Sequence, residues 1–93
     1  MKLEWDDKKN QMNYEKHGLS FSDAELVFSG EIVNFVDDRQ EYGEERWITL
    51  GELMGRVVVV VHTARHDAIR IISMRKANEH EKKIYYERLK ENR

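Results

Sequence analysis

Five consecutive valines, Val57 to Val61, constrain the fold more than any other feature of this 93-residue chain. Successive side chains of a strand point to opposite faces, so an unbroken β-branched run carries apolar groups on both. Such a strand belongs in the middle of a sheet, covered on each side. The same run is the longest apolar stretch, far short of the ~20 residues needed to span a bilayer. The opening Met1-Lys2-Leu3-Glu4-Trp5-Asp6 lacks the apolar segment of a signal peptide. A cytoplasmic protein with no membrane association is therefore expected. With no cysteine present, disulfides, thiolate metal sites and cysteine nucleophiles are excluded, and stability must come from packing.

Short elements surround the valine strand. Leu3-Glu4-Trp5 alternates like a strand. Asp6 or Asp7 can cap a helix that runs to about Lys16 and ends at Gly18. A second helix is predicted from Ser22 as N-cap, with Glu25 as capping-box partner and Phe21 stapled to Leu26; Gly30 closes it. The period then changes to that of strands at Ile32–Val36, Arg46–Leu50, Arg56–His62 and Ala68–Met74. The polar stretch from Asp37 to Glu44 is read as loop outside the core, and Gly51 to Gly55 as a turn. Asn78 with Glu81 predicts a capping box for a last helix bearing Ile84, Tyr85 and Leu89. The expected fold is α+β, in the order β-α-α-β-β-β-β-α. It is an antiparallel meander with two helices before it and one after, forming a single domain over residues 1–93. Only the last helix is left to cover the second sheet face, which makes that face a candidate binding surface.

Charge is unevenly placed. Residues 1–45 hold five Lys/Arg and twelve Asp/Glu, or 5 − 12 = −7, while residues 46–93 hold eleven and six, or 11 − 6 = +5. Seven of the eleven cations in the second half are arginines: Arg46, Arg56, Arg65, Arg70, Arg75, Arg88 and Arg93. The planar guanidinium suits phosphate or carboxylate. Arg46, Arg65, Arg75, Lys76 and His62 fall near strand ends, where several cations could meet one anion; pairing with Glu44, Glu45 or Glu79 is the alternative. Simple alternation sets Arg70, Ile72 and Met74 on one face and Ile69, Ile71, Ser73 and Arg75 on the other. Lys16-His17-Gly18 reads either as a catalytic pair or as cations at a helix C-terminus followed by its glycine cap. His62 and His66 lie four apart across a turn with no third metal ligand in view, so no metal or cofactor is expected. Trp47 can stack on a base or pack in the core. Walker, dinucleotide-fingerprint, nucleophile-elbow and zincin motifs are absent.

Taken together, Leu3-Glu4-Trp5-Asp6, Lys16-His17-Gly18-Leu19-Ser20-Phe21, Glu45-Arg46-Trp47, Thr63-Ala64-Arg65 and Arg70-Ile71-Ile72-Ser73-Met74-Arg75-Lys76-Ala77 resemble the BrnT family of bacterial toxins. The resemblance runs from Leu3 to about Tyr86. It implies a RelE-like ribonuclease fold and an endoribonuclease that stops translation. It also implies neutralisation by a BrnA-like ribbon-helix-helix antitoxin, in a 2:2 complex that meets operator DNA only through the antitoxin. By motif position it assigns function to Arg46, Arg65, Arg70, Arg75 and Lys76, with His17 and Glu45 beside them. Met74 departs from the alanine common in the family. Metal-free RNA cleavage needs a base for the 2′-hydroxyl, positive charge on the phosphate and an acid for the leaving oxygen. His62, His17, Lys76 and Glu45 are the proton-transfer candidates. A non-catalytic module that binds a partner chain or RNA, or a degenerate toxin acting as corepressor, is the alternative.

Overall fold

The computed structural model describes residues 1–91, so Arg93 lies outside the described residues. The chain runs β1 (Leu3–Glu4), α1 (Asp7–His17), a 3₁₀ turn (Phe21–Asp23), α2 (Ala24–Phe28), β2 (Ile32–Val36), β3 (Arg46–Leu53), β4 (Arg56–Arg65), β5 (Ala68–Lys76) and α3 (Glu79–Glu91). The sheet order is β1-β5-β4-β3-β2. Strands β2 to β5 form the expected antiparallel meander. The sheet as a whole is mixed, however, because β1 joins β5 in parallel, Leu3 opposite Ile69 and Glu4 opposite Arg70. Helices α1 and α2 and the strands β2 to β4 lie between them in sequence, ample chain for the crossover that a parallel pair requires.

The valines behave as their pattern dictates. Val58 and Val60 pack with Phe21, Ala24, Val27, Ile71 and Met74 beneath α1 and α2, whereas Val57 and Val59 join Val33, Leu50 and Tyr85 beneath α3. Phe21 is fully buried, a contribution of ~1.5–3 kcal/mol. Gly51 lies inside β3 rather than in a turn. A Cβ there would stand 2.7 Å from Val27 Cγ1, so only glycine lets α2 approach the sheet. The β3–β4 reversal is made instead by Met54 and Gly55, both at positive φ, the backbone of a tight hairpin turn.

The helix ends obey local chemistry in two cases of three. Asp6 caps α1, and Gly18, at φ 71°, closes it. Asn78 and Glu81 exchange side-chain-to-backbone bonds of 2.9 and 2.8 Å, the predicted box. The box expected at Ser22 does not form. Ser20 caps a 3₁₀ turn two residues earlier, Asp23 precedes α2 without a capping bond, and Leu26 is exposed, so no staple with Phe21 is made.

The decisive departure lies in β5. Val61 faces Ser73, but His62 faces Ile71, leaving Ile72 as an extra residue in a β-bulge. The bulge reverses the alternation. Arg70, opposite Thr63, therefore shares the α3 face with Arg75, opposite Val59, while Ile71 turns to the α1–α2 core beside Met74. The face assignment from simple alternation is thus corrected.

Candidate active site

Cross-strand pairing places the basic groups. Arg46, Thr63 and Arg70 are direct neighbours across β3, β4 and β5, so the two arginines lie roughly 10 Å apart at ~4.8 Å per strand. Arg65 follows Thr63 on the same side of β4. Arg75 stands four rows along, ~13 Å away at ~3.3 Å per residue. All four arginines occupy the α3 face, at two stations rather than around one anion.

At the first station carboxylates hold the cations. Arg46 Nε donates to Glu44 Oε2 at 3.4 Å, and its guanidinium lies 4.0 Å from the Tyr42 ring centroid. Arg65 reaches the same Glu44 at 3.8 Å. Arg70 Nη1 donates to Glu4 Oε2 at 2.8 Å. The Glu45 backbone carbonyl accepts from the buried Thr63 hydroxyl at 2.6 Å, fixing the start of β3, while the residue itself is exposed.

At the second station, the end of α1 meets the end of β5. Lys16, His17, Arg75 and Lys76 line one cleft of about 260 Å³. The buried Asn13 secures this junction, its side-chain amide bonding Met74 N–H at 3.2 Å and Met74 C=O at 2.9 Å. Arg75 grips Glu81 in a fork of two 2.7 Å bonds. That bond holds the guanidinium charged and pulls the Glu81 carboxyl below its usual range. A guanidinium has five N–H donors. Glu81 takes two and the Lys76 carbonyl a third, so two are left unengaged by the described residues.

Sequence reasoning missed a group that organises the loop between the stations. Asp37, assigned to a solvated stretch, has a fully buried carboxylate. It accepts two 2.7 Å bonds from Arg39 and a 3.1 Å bond from the Tyr42 hydroxyl. The Arg39 bond, reinforced by Tyr42, lowers its pKa to about 2. Tyr42 in turn supports Arg46, and the Arg39 charge is felt at both Arg75 and Glu81. An acidic residue beside an arginine two positions on was the available signal, but nothing local marks it as buried.

His62 belongs elsewhere. It lies in the row of Trp47 and Ile71, on the face opposite the arginines, with its ring edge-on to Phe28 at 5.1 Å. Thr49 Oγ1 donates its one hydrogen to Asn34 Oδ1, so its 2.7 Å contact with His62 Nε2 requires the imidazole to donate. Burial pushes the His62 pKa down to about 4. Trp47 lines a small cleft with Asn34 and His62 on that face. Among the described residues, no group of three or more His, Asp or Glu gathers as a metal site, and no helix is long and apolar enough to cross a membrane.

No curated protein matches the chain at a significant level. The family model described as ribonuclease toxin, BrnT, of type II toxin-antitoxin system matches residues 5–81. That span takes in both the Lys16–His17 and the Arg75–Lys76 walls of the cleft. The chain belongs to the BrnT family of ribonuclease toxins.

Proposed function

We propose that this protein is the toxin of a type II toxin–antitoxin pair. In this reading it is a cytoplasmic endoribonuclease that cuts RNA without metal assistance and halts translation. A BrnA-like ribbon-helix-helix antitoxin neutralises it in a 2:2 complex, and operator DNA is met only through that antitoxin. The observation that carries the reading is the meeting of Lys16 and His17 with Arg75 and Lys76 in one cleft, from opposite ends of the chain. An imidazole can exchange protons near neutrality, and guanidinium and ammonium groups stabilise the charge that builds on phosphate during cleavage.

In the proposed reaction His17 removes the proton of the 2′-hydroxyl and the oxygen attacks phosphorus. Arg75 bears the added negative charge through the two donors that the described residues leave unengaged. Lys76 protonates the departing 5′-oxygen, leaving a 2′,3′-cyclic phosphate and a 5′-hydroxyl. Arg46, Arg65 and Arg70 hold the flanking backbone, and Glu45, at that station, takes no part in the two proton transfers. His62, on the other face, takes no part. The test is induction of the gene alone with mapping of RNA ends. Growth arrest with new 5′-hydroxyl ends supports the reading, and arrest without cleavage removes it. A second reading, RNA or partner binding without cleavage, draws on the carboxylates that already engage Arg46, Arg65, Arg70 and Arg75. It predicts intact RNA in the same experiment.

A further inference from the structure

The two edges of the sheet are finished differently. On one side β1 covers the start of β5, and the Asn13 amide closes its edge at Met74. On the other side β2 ends the sheet, paired among the described residues with β3 alone. The Asp37 N–H bonds inward to the Arg46 carbonyl at 2.8 Å. Alternation then turns the backbone groups of Val33 and Phe35 inward and those of Ile32, Asn34 and Val36 outward. Edge strands are usually guarded by lysine, proline or a bulge. Ile32–Val36 contains none of these, its register to β3 is unbroken, and Val36 is 44% exposed.

Beside this edge, α3 leaves two apolar grooves over the sheet. One, of about 680 Å³, is bordered by Glu52, Tyr86, Glu87 and Leu89. The other, of about 370 Å³, runs along Phe35, Ile84 and Glu91. Four carboxylates, Glu31, Glu52, Glu87 and Glu91, outnumber the two cations Lys90 and Arg88 around the grooves, and Asp38 extends the acidic border past the end of β2. An added strand supplies the missing backbone partners, and its alternate side chains fall toward the grooves.

We propose that β2 and the α3 grooves receive an extended segment of the antitoxin as a sixth strand, with apolar residues entering the grooves and lysine or arginine meeting Glu52, Glu87 and Glu91. The inference rests on the toxin–antitoxin reading for the identity of its partner. Two variants test it. Val36→Lys guards the edge without touching the ladder to β3, and Glu87→Lys reverses the charge between the grooves. Each is expected to remain toxic alone, to escape rescue by co-expressed antitoxin, and to bind purified antitoxin at least tenfold more weakly. In the wild-type complex the amides of Ile32, Asn34 and Val36 become protected from hydrogen exchange. Normal rescue of both variants, or unchanged exchange at these amides, overturns the proposal. So does concentration-dependent protection in the toxin alone, which would assign the edge to a second copy. If the wild-type toxin neither arrests growth nor cuts RNA, the toxin reading fails by itself, while exchange with added antitoxin still reports on the edge.

Discussion

Arg70 and Arg75, five positions apart on β5, face the same side of the sheet because Ile72 between them is an unpaired bulge residue. A regular strand would have sent one of them into the α1–α2 core. Bulges re-aim side chains, and this one gives the α3 face its full set of arginines.

The first prediction follows from that placement. Arg70 is partly exposed and its pairing with Glu4 is a surface contact, so Arg70→Gln should change stability by no more than about 1 kcal/mol. RNA affinity should fall, and the salt dependence of binding should become shallower as one phosphate contact is lost. Glu4→Gln should do the opposite, freeing the guanidinium. Titrations of labelled RNA at several salt concentrations measure both. Equal affinities for the two variants would remove Arg70 from the RNA surface.

Arg75 makes a sharper case. Arg75→Ala should lower the cleavage rate roughly 10²–10³-fold, the cost of losing a preorganised donor of ~2.7–4 kcal/mol. It also breaks the fork to Glu81, and so weakens the start of α3. Glu81→Gln separates the two effects. It disturbs the same helix cap while sparing the guanidinium, so cleavage should survive in a variant of comparable melting temperature. Loss of cleavage in Glu81→Gln alone would make the pair, rather than the arginine, the functional unit.

What could be read from the residues divides along physical lines. The valine run, the Asp6 and Asn78 caps and the β2–β5 meander depend on period and local hydrogen bonding, and are visible in any window of the chain. The Ile72 bulge is not, because isoleucine there looks like any strand residue and no glycine marks the irregularity. Ser22 lost its box to Ser20, two positions earlier, and the two hydroxyls bond each other at 2.9 Å instead. Asp37 looked solvated because its burial depends on Arg39 and Tyr42 folding back over it. For the cleft, the Lys16–His17 and Arg75–Lys76 segments stood out by family resemblance. Their meeting required the docking of α1 against β5, which Asn13 secures and no local pattern announces.

Asp37 carries a prediction about pH. Its pKa of about 2 in the folded chain lies below the ordinary value of 3.8. The group therefore adds stability that is complete above pH ~4 and disappears as pH falls through 2. Asp37→Asn should remove this component and leave the Arg39 and Tyr42 donors poorly matched, at a cost of order 1–3 kcal/mol. With Tyr42 released, Arg46 loses its ring contact, so cleavage should also weaken. Melting curves between pH 2 and 5 check the first effect. A wild-type-like acid profile for Asp37→Asn would show that the buried carboxylate does not contribute as described.

His62 acts in a different window and with a different consequence. Its pKa of about 4 lies below the unfolded value near 6.5 because burial disfavours the imidazolium. Between these values the unfolded chain binds a proton that the folded one refuses, so stability must fall as pH drops from about 6.5 to 4 and then level off. The hydrogen bond to Thr49 survives only as long as the ring keeps its Nε2–H, which both protonation states retain, so the penalty arises from burial rather than from a lost bond. His62→Gln, which keeps a donor for Thr49 without a titrating ring, should flatten the melting profile over this range. Because the ring faces away from the arginines, the same variant should leave the pH dependence of RNA cleavage unchanged. A shift in the cleavage profile on this substitution would bring His62 into the reaction and overturn its assignment to the opposite face's structural network.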